Sequence, residues 1–165
     1  MPTELDPAGL QKEARSFRTS FKTLVLSTAS PDGVPDASYA PFVLDDSETA
    51  HVFISRLAQH TQNILANPQV SILFIGDEKS AKNPFNRQRL TLQCTARELP
   101  RTSPSSSEIL DSFEQNFGKT VALLKGLGDF HLFRLEVSSG SYVRGFAQAY
   151  QIADASLKIV QQRRG

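Results

Sequence analysis

Thr49-Ala-His-Val-Phe-Ile-Ser-Arg-Leu-Ala-Gln-His-Thr-Gln-Asn-Ile-Leu-Ala-Asn-Pro68 changes period in its middle. Up to Ser55 it reads as a β-strand. From Leu57 the apolar and small residues Leu57, Ala58, Thr61, Ile64 and Leu65 follow helical spacing, and Asn67-Pro68 stops that helix because a residue before proline avoids the α region. A strand therefore becomes a helix within two residues, at Ser55 and Arg56. The first amides of a helix have no intrahelical acceptor and, with the helix dipole, favour an anion. Ser55 is placed to cap, Arg56 to clamp two oxygens, and His60 lies one turn further on, with Gln59 the fourth member of the group. On residue types alone, a capped surface helix and a phosphate or carboxylate site account for this pattern equally well.

Upstream, Ser38-Tyr-Ala-Pro-Phe42 belongs to a strand running from Val34 to Leu44. It follows the turn Ser30-Pro-Asp-Gly33 and should pair with Lys22 to Ala29 as a hairpin. Before that hairpin, Leu10, Ala14, Phe17 and Phe21 mark an amphipathic helix over Ala8 to Phe21. Downstream, Gln69 to Gly76 is a β-branched central strand, and Asp77 to Phe85 is polar. Arg89 to Arg97 alternates, with Leu90, Leu92, Cys94 and Ala96 on its apolar face. Pro100 to Ser107 reads as a linker, with Ser106 or Ser107 capping a helix through Phe117; Lys119 to Leu127 reads as a second, short helix. Phe130 to Ser138 and Ser141 to Ile152 read as two strands joined by Ser139-Gly140, with Tyr142, Arg144, Phe146, Gln148 and Tyr150 sharing one face of the second.

Six or seven strands with short helices and no regular βαβ alternation predict a mainly β fold. It is an antiparallel, Greek-key barrel with peripheral α-helices. The expected organisation is one domain over 1–165: an N-terminal helix at 1–21, the barrel with helical insertions at 22–152, and a tail at 153–165.

Lys and Arg total 18 against 17 Asp and Glu, so no general field attracts a polyanion, and no nucleic-acid partner is expected. The basic clusters are Arg87/Arg89 and Arg163-Arg164, the latter read as solvated. No signal-peptide pattern or bilayer-length apolar run is present, and no membrane partner is expected. The single Cys94 excludes an internal disulfide and reads as a buried inert thiol, so the expected location is the cytoplasm. His51, His60 and His131 have no metal-ligand spacing, though a lone histidine suffices for haem. Gly126-Leu-Gly-Asp-Phe130 is not a dinucleotide fingerprint; its Asp129 is a turn residue or a group that orients a ligand. With no nucleophile motif, catalysis would fall to a cofactor.

These residues resemble a known family. Ser38–Phe42, Ile54–Arg56, His60, Asn63, Asn67–Ser71, Arg87–Leu90, Gly126–Phe130, Phe133–Leu135 and Gly145–Tyr150 are similar, in order and spacing, to the haem iron utilisation proteins. These are a branch of the pyridoxamine 5'-phosphate oxidase-like, FMN-binding split-barrel superfamily. The resemblance implies a homodimer of split barrels with a ligand cleft at each end of the interface. From the flavin-binding relatives it implies FMN contacts at Phe53, Ile54, Ser55, Arg56, Gln59 and His60, with Arg89 near the ring. His60 and Gln59 fall where those relatives carry lysine and arginine, which weakens a phosphate clamp. From the haem-handling relatives it implies haem at the same interface, supported by Asp129. The axial histidine those relatives take from a C-terminal segment has no counterpart in Lys158–Gly165, leaving His60 or His131 to reach iron. The leading expectation is FMN with flavin redox chemistry. Haem binding or degradation is the alternative, and a non-catalytic regulatory or stress dimer is the third reading.

Overall fold

The computed structural model describes residues 6–163. Strand β1 (Thr23–Ala29), β2 (Pro35–Leu44), β3 (Ala50–Ser55), β4 (Gln69–Ile75), β5 (Arg89–Leu99), β6 (Phe130–Gly145), β7 (Gln148–Ile152) and β8 (Ile159–Arg163) form one sheet. Its order is β3-β2-β1-β4-β5-β6-β7-β8, and every pairing is antiparallel. A further pairing of β3 with β6 closes the first six into a barrel and leaves β7 and β8 as an extension. Helices α1 (Pro7–Thr19), α2 (Gln59–Ala66), α3 (Pro104–Phe117) and α4 (Lys119–Lys125) accompany the barrel, with a single 3-10 turn at Pro84–Asn86. The strand patterns imply a mainly β antiparallel barrel with peripheral helices, the resemblance implies its split-barrel form, and the structure has both.

The interior is filled by alternate residues of each strand, such as Leu24 and Leu26, Ile72 and Phe74, and Leu90 and Leu92. Burial explains why β3 lacks alternation. Ala50, Val52 and Ile54 point into the barrel, while Phe53 packs outward with Val43, Leu110, Phe113, Val121 and Leu132 beneath α3 and α4. A strand covered on both faces is mostly apolar, and His51 is the buried polar exception here. Cys94 is buried, and burial pushes its thiol up to about 12, which fits an inert side chain.

Four local expectations change. First, β6 runs without a break through Ser139-Gly140, and the chain reverses at Phe146 and Ala147, the latter at φ 56. Gly140 is needed for proximity rather than for turning. A Cβ there would lie 2.4 Å from the carbonyl oxygen of Thr91 on β5. Tyr142 and Tyr150 consequently face each other across the β6–β7 hairpin. Second, the segment read as a tail contributes β8, which pairs with β7; Arg164 lies outside the described residues. Third, α3 begins earlier, with Ser103 as N-cap accepting from the amide of Ser106. Fourth, α4 ends at Lys125, two residues before the expected boundary.

Candidate functional site

Strand β3 leaves the barrel at Ser55, opposite Phe130, the first residue of β6. The Arg56 amide donates to the carbonyl of Asp129 at 2.7 Å, tying the two chain segments together. The Ser55 hydroxyl donates to Asp129 Oδ2 at 2.6 Å and accepts from the Leu57 amide at 3.1 Å. With one lone pair taken by Leu57, the hydroxyl proton is directed at the carboxylate. Asp129 Oδ1 has no hydrogen-bond donor among the described residues. The Arg56 side chain is exposed and without an ion-pair partner among them.

Ser55 does not cap α2. The N-cap is Ala58, which has no side chain to bond with, and the Ser55 hydroxyl instead serves the turn before it. Gln59 donates to Asn63, and Asn63 donates to the buried Thr28 hydroxyl on β1, so this face of α2 is used to dock the helix. His60 is half-buried, and desolvation lowers its pKa below the ordinary 6.5 against an opposing pull from Asp36. Its imidazole is therefore neutral near pH 7. Phe53 and Ile54 are buried, Phe53 in the cluster beneath α3 and α4 and Ile54 in the barrel interior, so neither side chain presents a polar contact to this corner.

Arg101, which the sequence did not single out, builds the other side of this corner. Its guanidinium donates to the carbonyls of Lys125, Leu127 and Phe130 and lies 5.3 Å over the Phe53 ring. It thereby caps the carboxyl end of α4 and holds the Gly126–Phe130 segment against β3. Beside Asp129 lies an open surface depression of about 420 Å³, lined by Glu98, Leu99, Pro100, Arg101, Gly128, Phe130 and His131. The His131 Nδ1 lies 2.5 Å from Glu98 Oε1 at its rim. Leu57 and Leu127, two residues from Ser55 and Asp129 respectively, are exposed.

Arg89 lies elsewhere. It pairs with Val143 near the far end of β6, whereas Ser55 pairs with Phe130 at its start, 13 residues away (130 to 143). At about 3.3 Å per residue that is roughly 40 Å of strand path. One copy of the chain therefore does not bring Arg89 to Ser55, Arg56 and Asp129. Arg89 donates to the Arg87 carbonyl and shares the outer sheet face with Val25, Tyr39, Leu73 and Thr91. Tyr39 on this face is 67% exposed, which is unusual for a large ring on a central part of a sheet.

The profile of the family described as Pyridoxamine 5'-phosphate oxidase matches residues 10–144. The heme oxygenase HutZ of Vibrio cholerae is 42% identical over 148 residues, covering 90% of this chain and 84% of that protein. The crystal structure of the same Vibrio protein, there described as a heme storage protein, superposes with a TM-score of 0.71 at 41% identity. That match covers 76% of this chain and 88% of the other. Campylobacter jejuni ChuZ gives a TM-score of 0.86 at 32% identity, over 98% of this chain and 66% of ChuZ. No described helix is long and apolar enough to cross a membrane. By sequence and by fold alike, the chain belongs to the haem-iron-utilisation, HutZ- and ChuZ-like branch of the pyridoxamine 5'-phosphate oxidase-like split-barrel superfamily.

Proposed function

We propose that this chain binds haem in a cleft completed by a second copy of itself, and that it serves haem-iron utilisation. The observation that carries this reading is the hydrogen bond from Ser55 to Asp129. It sets a carboxylate at the corner where an FMN protein needs positive charge for the phosphate. At about 5 Å and an effective dielectric of about 20, a carboxylate opposes each unit of phosphate charge by about 3 kcal/mol. A neutral His60 and an uncharged Gln59 do not offset it, and Arg56 is the one permanent cation among these side chains. A carboxylate with one free oxygen suits haem better, since it can accept from an imidazole or from water at the iron. The similarity to HutZ and ChuZ favours haem over FMN in the same direction.

The need for two copies is supported by Arg89 and the outer sheet face. In an antiparallel pair of barrels, Arg89 of a second copy approaches the corner formed by Ser55, Arg56 and Asp129 of the first. Arg56 and that Arg89 would hold the propionates, and the exposed Leu57 and Leu127 would shield the bound group from water. Bound haem supplies the redox chemistry of its iron; the chain's own residues bind, orient and shield it.

Parallel titrations with haemin and with FMN, combined with light scattering, test the proposal. The expected result is a saturable Soret change at one haem per protomer on a dimer, with no saturable FMN fluorescence quenching. Saturable FMN binding without a haemin response would overturn it. Decay of the Soret band in air with an added reductant separates haem breakdown from storage.

A further inference from the structure

We propose that the groove between α1 and the β2–β3 turn binds a tetrahedral dianion of the phosphate class, held by Arg18 from beneath and by Lys12 and Arg15 from its wall. The proposal does not depend on the haem reading. Glu48 precedes β3 and Ser55 ends it, so the length of that strand separates this groove from the corner at Ser55. The starting point is a buried charge. Arg18 lies on the inner face of α1 with Leu10 and Ala14 and is 2% exposed. Its Nε and Nη2 are sealed from solvent and make no hydrogen bond among the described residues. A buried charge without hydrogen-bonded partners is strongly destabilising, so the pairing of this guanidinium is incomplete without a further acceptor.

One carboxylate is within reach, and it is shared. Arg18 Nη2 lies 3.5 Å from Glu48 Oε2, and Arg15 Nη2 holds the same oxygen at 2.5 Å. Glu48 raises the pKa of Arg18, while burial, the larger effect, and Arg15 lower it. The other acids of the surrounding elements are engaged. Glu13 on α1 takes Tyr142 and Arg144, and Asp45 accepts from the Ser47 and Thr49 amides. Glu136 on β6 pairs with Arg97, and Asp154 accepts from the amide and hydroxyl of Ser156. Glu48 itself has φ 59, at the end of a hairpin loop where glycine is the easy choice. An acid kept there against its backbone preference is one used for its charge. The same Glu48 borders an open groove of about 330 Å³, lined also by Ala8, Gln11, Lys12, Arg15, Ser16 and Thr19. Arg18 is reached beside Glu48, whose carboxylate both lines the groove and meets the buried guanidinium. Lys12 is exposed, with no ion-pair partner among the described residues. Three cations thus gather around one carboxylate, and the positive charge left over matches a dianion. A tetrahedral oxyanion offers acceptors on every side, so it can take donors from two guanidiniums, an ammonium and the Ser16 hydroxyl at once.

The test uses the full chain without added haem, in chloride, phosphate or sulfate buffers of equal ionic strength. Calorimetric titration with inorganic phosphate should show one saturable site per chain. The melting midpoint should rise with phosphate and with sulfate but not with chloride, because a ligand that binds the folded chain alone stabilises it. Arg18→Met removes the buried charge and leaves Glu48 paired with Arg15. It should bind phosphate about tenfold more weakly, having lost a charged donor group. In chloride it should melt at or above the wild-type midpoint, because an apolar side chain replaces an incompletely paired cation. An Arg18 fully served by Glu48 or by water gives the opposite pair of results: no phosphate response in the wild type and a lower midpoint for Arg18→Met. Lys12→Ala alters only the exposed side of α1 and should weaken phosphate binding about threefold without lowering the midpoint in chloride. Glycerol 3-phosphate bound more tightly than phosphate assigns the anion to an ester, and equal affinity assigns it to the free ion; both support the site. A wild-type chain with no saturable response to phosphate or sulfate, or an Arg18→Met chain with wild-type phosphate affinity, overturns the proposal and leaves the haem reading as it was.

Discussion

Gly140→Ala is the sharpest check on the barrel. The methyl carbon would lie 2.4 Å from the Thr91 carbonyl oxygen and 2.7 Å from Leu92 Cδ2. A comfortable carbon–oxygen contact is about 3.3–3.6 Å. The β5 and β6 backbones would therefore have to part by about 1 Å, against an inter-strand spacing of about 4.8 Å. Leu92 can shift its side-chain carbon, but the carbonyl of Thr91 is backbone in the middle of a barrel and has nowhere to go. Overpacking of this kind costs about 1–3 kcal/mol, and the unfolded-state benefit of replacing glycine returns about 0.4–1 kcal/mol. The net expectation is a loss of about 1–2 kcal/mol. At about 2–4 °C per kcal/mol for a chain of this size, the midpoint should fall by roughly 2–8 °C. The control is Gly128→Ala, since a Cβ there meets nothing within 4 Å and the residue has no positive φ. That variant should be neutral or slightly stabilised. Thermal melts followed by circular dichroism read the midpoint of both, and urea unfolding with the m-value checked for constancy reads the free energy. A Gly140→Ala midpoint equal to or above that of the wild type would refute the argument that this glycine is present for close strand approach.

Two further perturbations test other parts of the structure. Arg101→Ala removes donors to the carbonyls of Lys125 at the end of α4, Leu127 beyond it and Phe130 at the start of β6, and the contact over Phe53. At about 0.5–1.5 kcal/mol per net hydrogen bond, with a similar amount for the ring contact, a loss of about 2–4 kcal/mol is expected by chemical denaturation. Arg101→Lys should recover less than half of it, because an ammonium does not reproduce the fork. His51 tests the pH dependence: it is buried, and desolvation lowers its pKa below the ordinary 6.5. The unfolded chain therefore takes the proton first, so stability is full above about pH 6.5 and falls as pH drops from there towards the folded value. His51→Phe should reduce that slope in thermal melts between pH 7 and 5 without abolishing it, since His60 is lowered by burial in the same sense.

The alternation in β1, β4 and β5 made those strands legible, because each buries one face against the barrel interior and the period-2 pattern records it directly. The break wrongly placed at Ser139-Gly140 has a physical reason. Glycine serves both turns and close backbone approach, and a local reading has no means of separating them, because the second use depends on Thr91 on another strand. Strand β8 was hidden for a related reason: Ile159 to Arg163 buries only its first residue, so it carries no alternation to read.

The site divides along the same line. The corner at Ser55 and Arg56 is local, a change of period within two residues, and the sequence located it. Its electrostatic sign is not local. From hydroxyl, guanidinium and imidazole alone the corner looks built for an anion. Folding then brings in Asp129, 74 residues on, at 2.6 Å from the same hydroxyl. It also buries His60 enough to hold it neutral and carries Arg89 to the far end of β6. Each change moves the corner away from phosphate binding, and each comes from a residue distant in the chain. Chemistry at a strand-to-helix junction is thus set by what the opposite strand delivers to it. In this barrel the residue just before β6 delivers a carboxylate to the hydroxyl at the end of β3.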